Sequence, residues 1–427
     1  MSDRAGFDCI VVGGGPTGLA AAVALATSGL DTAVAADPPI ETSDAGELSS
    51  TAGAPPVETR TAALFPPSIT LLDNLGVWAE IRSSCAPVTG IRLVDDTGNL
   101  LRAPEVVFRA SDIERADLGY NVPNAALVTS LGKAAVRAGV TVLREGRVLA
   151  ASLDAEGATV TLAGGRRCEA KLLIAADGRG SLTRDAAGIG VRRTTYDQNA
   201  LACSFSHSRP HGGVSTELHG ASGPCTTVPL PGSASSLVWM HRPDEVRLLQ
   251  EMPASRFLER LGERLGGLLG SLSELSARRA FELKGLVAES MGRTRVALVG
   301  EAAHAFPPIG AQGLNLGLAD IAVLVDLVVA ARKSAGDIGD PAVLAAYDAA
   351  RKGEVQRRAG AVDLLNRSLQ PGIWPLGLAR GAGLHVLAAM PSLRRRLMLE
   401  GLYPPRPLPS LMTERATQRK SGAGARG

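Results

Sequence analysis

The stretch Phe7-Asp8-Cys9-Ile10-Val11-Val12-Gly13-Gly14-Gly15-Pro16-Thr17-Gly18 decides the fold. Its first half is a short, largely β-branched apolar run that stops at a glycine, and a helical apolar pattern follows from Pro16 to about Thr27. Thr32 to Ala36 reads as a second strand. Strand, tight glycine turn, helix and strand in that order open a doubly wound α/β unit. Gly13-x-Gly15-x-x-Gly18 stands at the strand–helix junction, where it reads as a dinucleotide fingerprint. Gly13 permits the turn, Gly15 lets a pyrophosphate approach the backbone, and Gly18 lets the helix pack closely. With 49 glycines in the chain such a triplet alone is weak, and its placement carries the reading. An acidic residue commonly ends the second strand to hold the ribose. Ala36 stands there and Asp37 follows one residue late, which makes Asp37 the candidate ribose ligand.

The chain has 427 residues, 45% of them apolar. That is too apolar for a disordered chain, and longer than the roughly 250–300 residues a single core serves, so two intimately joined domains are expected. A net charge of +3 with interleaved signs gives no nucleic-acid footprint. Five widely spaced cysteines without a CxxC pair argue against a disulfide framework or zinc site, and fit a reducing, cytoplasmic compartment. His207 and His211 have metal-like spacing, but Pro210 and Gly212 break any helix that would align them, so no metal is expected. Asp3 and Asp8 precede the first apolar run and glycines cut it short, unlike a secretory signal. The apolar run Leu318 to Ala331 carries Asp320 and Asp326, unlike a bilayer span.

Working outward, Pro38 to Glu58 reads as a polar surface excursion. Helical periodicity returns at Pro67–Leu75 and Asn124–Ala138, with Asn124 suited to capping. Short strands fill Val140–Ala175, and Val191–His241 is alternating strand and turn. Arg295–Val299 is a strand, Gly313–Arg332 and Pro341–Arg367 are long helices, and the tail after Arg415 reads as disordered. Leu384–Leu402, with leucines amid Arg394-Arg395-Arg396, is either a solvated helix on the core or an amphipathic surface for a membrane or a partner. Two further segments carry chemistry. Ala175-Ala176-Asp177-Gly178-Arg179-Gly180-Ser181 follows an apolar strand, where Asp-Gly by itself is an ordinary turn signal. Gly300-Glu301-Ala302-Ala303-His304-Ala305-Phe306-Pro307-Pro308 places a carboxylate after a strand, and Gly310-Ala311-Gln312-Gly313-Leu314-Asn315-Leu316-Gly317 then opens a helix. Such an opening aims N–H groups and a positive dipole end at an anionic or electron-rich ligand.

Taken together, the three segments resemble the FAD-dependent aromatic hydroxylases of the para-hydroxybenzoate hydroxylase group, and within it the ubiquinone-biosynthesis hydroxylases. Arg60-Thr61-Ala62-Ala63-Leu64, Leu118 to Asn124, Pro210 to Gly213 and Leu393-Arg394-Arg395 agree, and the resemblance covers roughly residues 7–402. It implies an FAD-binding, Rossmann-like domain with an inserted β-sheet substrate domain and a helical C-terminal segment. The expected division is 1–90, 120–190 and 290–365 for FAD, 91–119 and 191–289 for substrate, 366–412 as helices, and 413–427 as a tail.

Carried over residue by residue, the resemblance implies that Gly13, Gly15 and Gly18 hold the pyrophosphate. It places Arg60 on the flavin side, Asn124 near the ring or ribityl chain, and the backbone of Val148 at the adenine. Asp177 positions the pyrophosphate and nicotinamide-facing groups. Glu301 replaces the usual Asp at the ribityl hydroxyls, and Gly310, Gln312, Gly313, Leu314 and Asn315 surround the pyrimidine edge. His304 has a packing and hydrogen-bonding part. The implied reaction reduces the flavin with transient NAD(P)H, adds O2 as a C4a-hydroperoxide, and hydroxylates a polyprenylated phenol. The cofactor carries that chemistry, and no catalytic side-chain constellation is singled out. Peripheral contact with the inner face of a membrane and with other ubiquinone-synthesis enzymes fits such a substrate. The rivals are a soluble-phenol monooxygenase of the same fold, an FAD-stabilised non-catalytic subunit of a quinone-synthesis complex, and a reductase of isoprenoid double bonds.

Overall fold

The computed structural model describes residues 6–36, 60–97, 104–220, 223–368, 374–404 and 407–414. Asp37, the Pro38–Glu58 excursion and the tail from Arg415 lie outside the described residues.

The first strand, Gly6–Val12, is buried along most of its length and pairs in parallel with Thr32–Ala35 on one side and Arg167–Ala175 on the other. Thr141–Leu143 and Val296–Leu298 extend the sheet outward, again in parallel. A parallel sheet hides both faces, so its strands read as continuous apolar runs. The register is the important result. Val12 lies opposite both Ala35 and Ala175, and Ala175 lies opposite Leu298. These strands therefore end level, and the segments that follow Val12, Ala175 and Leu298 leave from one edge.

The first helix, Pro16–Thr27, starts with proline at a position whose N–H needs no helical partner and is buried from Gly18 to Leu25. The core helix Gln312–Lys333 packs against it and against the cross helix Pro341–Ser368. By length and composition the core helix could cross a membrane, yet 61% of its most apolar window is buried within the fold and Asp320 is fully enclosed.

The larger sheet is built on Val191–His207, which pairs antiparallel with Ala234–His241 and Arg279–Ala288. The two-residue period of a strand gives it two working faces. Leu201, Cys203, Phe205 and Trp239 point to one, where helices Pro243–Glu251 and Ala254–Arg264 supply Val246, Leu249, Phe257 and Leu261. Ala200, Met240 and Leu283 point to the other and meet Ile309 and Val362. A three-stranded sheet of Thr61–Leu64, Gly119–Pro123 and Ala86–Val88 joins the two bodies. Asn121 Nδ2 donates to Pro229 O at 2.9 Å, and Thr61 Oγ1 donates to Ser236 Oγ at 3.1 Å.

Two expectations are corrected. Asn124 is the first residue of helix Asn124–Arg137, not its cap: Pro123 holds the cap position with extended backbone and no side-chain bond. The reason is the strand pairing, because Thr61 opposite Pro123 continues into Asn124 N donating to Arg60 O at 3.0 Å. The C-terminal stretch is two helices, Trp374–Ala389 and Pro391–Leu402, broken at Met390 because Pro391 disfavours helical backbone before it. Its arginines are engaged: Arg394 with Asp112, Arg395 with Glu114 and Arg396 with Glu400, at 3.4, 3.3 and 2.9 Å. All five cysteines are buried.

Candidate functional site

At the level strand ends the three glycine-bearing segments touch. Gly13 has φ +123°, and a Cβ built there would stand 2.2 Å from Ala176 O and 3.0 Å from Asp177 N. A Cβ on Gly18 would stand 2.0 Å from Gly13 O. These two glycines are demanded by backbone packing. Gly15 differs: its φ of −74° suits any residue, and nothing lies within 4 Å of its missing Cβ. Space is kept there without a structural reason inside the chain, at the mouth of a helix with no side-chain cap and no acid in its first turn. Its first N–H groups are therefore available to an anion.

The third segment closes on the same corner. Gly300 has φ +58°, and its Cβ would meet the Thr17 side chain at 3.0 Å. Gly317 of the core helix approaches both Thr17 Oγ1 and the Cα of Gly300. The core helix starts without a side-chain cap, and Ala311 at its cap takes left-handed backbone, φ 54° and ψ 33°. Such strain in a non-glycine residue collects where geometry matters more than stability. Gly313 has open space at its missing Cβ, as Gly15 does.

The polar side chains around this edge divide into those turned outward and those absorbed by the fold. Glu301 is exposed and pairs with Arg179 at 3.1 Å. The Asp177 carboxylate accepts from Ser181 Oγ and, at 3.1 Å each, from the N and Oγ1 of Thr183. It organises the turn into helix Leu182–Ala186. Asn315 is fully used: Nδ2 donates to Ala63 O and Ala311 O at 2.8 and 2.7 Å, and Oδ1 accepts from Phe65 N and Ser68 Oγ at 2.9 and 2.8 Å. It welds the bridging sheet to the strained turn. Gln312 donates to Gly310 O at 3.0 Å and accepts from Arg358. The backbone of Arg60 and Asn124 is joined, as described, and Asn124 Oδ1 is buried without a partner among the described residues. Val148 is a buried core residue of strand Val148–Leu153, which joins the parallel sheet through Ala158–Leu162.

One cluster was not singled out as such from the sequence. Fully buried Asp320 accepts from Gly300 N at 3.1 Å, His304 Nε2 at 2.7 Å and Arg351 Nε at 2.8 Å. Burial opposes its ionisation, but His304 and Arg351 outweigh burial and hold the carboxyl below its ordinary range. Arg351 also pairs with Glu354, which binds Arg358 at 3.0 Å, and Arg358 reaches Gln312 and the carbonyls of Gly401 and Tyr403. The chain of charges thus runs from the Gly300 turn to the last helix. The available signal was an acid inside an otherwise apolar helix, since unpaired acids are seldom fully buried. Beside this network a cleft of about 830 Å³ lies between the cross helix and helix Pro391–Leu402, with Ile309, Gly310 and Gln312 at its floor.

The sequence profile of the FAD binding domain family matches residues 7–360. The chain is 35% identical over 395 residues to the ubiquinone hydroxylase UbiL of Rhodospirillum rubrum, spanning 92% of this chain and 88% of that one. It is 30% identical to the 3-demethoxyubiquinol 3-hydroxylase of Escherichia coli, spanning 91% and 96%. In fold it is similar to p-nitrophenol 4-monooxygenase PnpA of Pseudomonas putida, with a TM-score of 0.72 at 20% identity over 93% and 99% of the two chains. PqsL of Pseudomonas aeruginosa gives 0.70 at 23% over 89% and 99%. Given a profile that takes in all three converging segments and relatives that run nearly end to end, this chain belongs to the FAD binding domain family and is an FAD-dependent aromatic-ring monooxygenase of the ubiquinone-hydroxylase branch.

Proposed function

We propose that the chain hydroxylates the ring of a polyprenylated phenol on the route to ubiquinone, with NAD(P)H as a transient reductant and O2 as the oxygen source. The observation that carries this reading is the end-to-end similarity to two relatives named as ubiquinone hydroxylases. The residues present fit FAD. Gly15 and Gly313 leave room where no protein atom uses it, each at an uncapped helix start free of acids. Gly13, Gly15, Gly18 and the first turn of helix Pro16–Thr27 would hold the pyrophosphate. Glu301 would take the ribityl hydroxyls, Arg60 and Asn124 would flank the flavin, and the backbone from Gly310 to Leu314 would face its pyrimidine edge, with Asn315 fixing that backbone. Val148 would serve the adenine. Asp177 would act through the turn it organises rather than by direct contact.

Bound there, FAD supplies electron transfer and oxygen activation, and the protein's task is to orient the ring and keep water out. Apolar side chains from the larger sheet, Ile309 and the cross helix provide that dry surface. Exposed Val386, Leu397 and Leu399 on the last two helices, and Met390 at the break between them, would suit contact with a lipid surface that stores such a substrate. Complementation tests the reading: strains blocked at each separate ring hydroxylation are supplied with this chain and their quinone precursors are weighed. Rescue of one step is expected. Failure at every step, together with turnover of small soluble phenols, would overturn the ubiquinone assignment.

A further inference from the structure

The turn that opens the core helix is held in an unfavourable shape from two sides. Gly310 and Ala311 both take left-handed backbone, with φ of 67° and 54°, and alanine has no intrinsic preference for it. Such a residue persists where its surroundings over-determine it. Asn315 secures one side, Nδ2 donating to Ala311 O at 2.7 Å. Gln312 secures the other, Nε2 donating to Gly310 O at 3.0 Å while Oε1 accepts from Arg358. A guanidinium only donates and a backbone carbonyl only accepts, so no other orientation of the Gln312 amide serves both partners. Arg358 is aimed in turn by three further acceptors. They are Glu354 at 3.0 Å and the carbonyls of Gly401 and Tyr403 at 3.4 Å each, where helix Pro391–Leu402 ends. Five donors in a rigid plane thus serve four acceptors at once. Glu354 is buried and also pairs with Arg351, so the guanidinium rests against a fixed anion.

We propose that Arg358 is a positioning residue for the cofactor. Acting through Gln312, it holds the Gly310–Ala311 turn, and with it the first N–H groups of the core helix, against the pyrimidine edge of the flavin. The proposal rests on the reading that places this turn at the flavin, and adds the side chain, 46 residues further along the chain, that keeps it there. Without Arg358 the Gln312 amide can exchange Gly310 O for water, and the turn is secured from the Asn315 side alone. Because the effect passes through Gln312, removing either side chain should cost as much as removing both.

The test compares the full-length wild-type chain with Arg358→Ala, Gln312→Ala and the double variant. Each is stripped of flavin and titrated with FAD, the dissociation constant being read from flavin fluorescence. The midpoint potential of the bound flavin and the Tm of the flavin-free chain are measured alongside. Each single variant is expected to weaken FAD binding about tenfold, and the double variant no more than either alone. The potential is expected to fall by the same step in all three, because N–H groups held at that edge favour the more negative, reduced ring. Arg358→Met, which keeps the apolar stem, replaces the alanine variant in the comparison if that one does not fold. A double variant weakened by the product of the two effects, about a hundredfold, overturns the proposal, since the residues then act separately. So does an Arg358→Ala chain that loses Tm but keeps wild-type FAD affinity and potential, because its part is then structural only. If Gln312→Ala matches wild type in affinity and potential, the turn does not face the flavin, and that placement fails together with the proposal. A Gln312→Ala effect that Arg358→Ala lacks leaves the placement standing and removes Arg358 alone.

Discussion

At the carboxyl edge of the parallel sheet the contacts that matter are backbone against backbone: Gly18 on Gly13, Gly13 on Ala176, and Gly317 on Gly300 with Thr17 between them. On the inner face of the larger sheet they are side chain against side chain: Met240 and Leu283 with Ile309 and Val362. The difference follows from what each region has to accommodate. A charged, extended cofactor is held by N–H groups and helix dipoles, which require close approach and therefore glycine. An apolar ring is held by shape and dry surface, which many side-chain combinations supply.

The comparison can be broken most severely at Gly18. A valine there would drive its Cβ into Gly13 O, an atom with no freedom to move, and a loss of about 4 kcal/mol with no recoverable flavoprotein is expected on chemical denaturation. Next in size is Asp320→Asn, which leaves Arg351 and His304 without their buried anion. About 3–5 kcal/mol should be lost at neutral pH. The sign of its pH dependence is fixed. The folded carboxyl titrates below its unfolded value, so its contribution is complete above the ordinary carboxylate range and disappears as pH falls through the folded value. Urea midpoints of wild type and variant should therefore stand fully apart above about pH 4 and converge as pH falls into strong acid.

Gly15→Ala sharpens the contrast within the glycine motif itself. No contact and no unusual backbone stands in the way of the methyl group, so the apoprotein's Tm should hold while FAD affinity falls roughly tenfold or more. A drop in Tm matching that of a Gly18 variant would show that Gly15 is kept for packing. The smallest effect belongs to Glu301→Ala. Its pair with Arg179 is exposed, so stability should change by less than about 0.5 kcal/mol, yet FAD should be released more readily on dilution. Undiminished flavin absorbance after purification would contradict a part for Glu301 at the ribityl chain.

These differences also govern how much of the fold and of the site is legible in the sequence. The strand–turn–helix at residues 7–27 and the glycine-rich opening near 310 were legible, because glycine spacing and apolar period are local properties. The bounds observed, Gly6–Val12 and Pro16–Thr27, differ little from those expected. Asn124 misled because its capping propensity is local, whereas its N–H is positioned by strand pairing that brings in Arg60, 64 residues earlier. Helices Pro243–Glu251 and Ala254–Arg264 carried a start signal in Pro243-Asp244-Glu245 that the surrounding strand texture masked. The Asp320 network depends on the packing of distant helices and strands, and no spacing rule announces it. Asp177 was legible as a motif, but its bonds to Ser181 and Thr183 make it a turn-builder first.

The most direct test of the account is to supply the purified FAD-loaded chain with NAD(P)H, a prenylated phenol and isotopically heavy O2, and to weigh the product. The account predicts a ring-hydroxylated phenol carrying one heavy oxygen atom, formed only when all three are present. A product whose new oxygen comes from water, or consumption of NAD(P)H that reduces the side-chain double bonds without taking up O2, would contradict it.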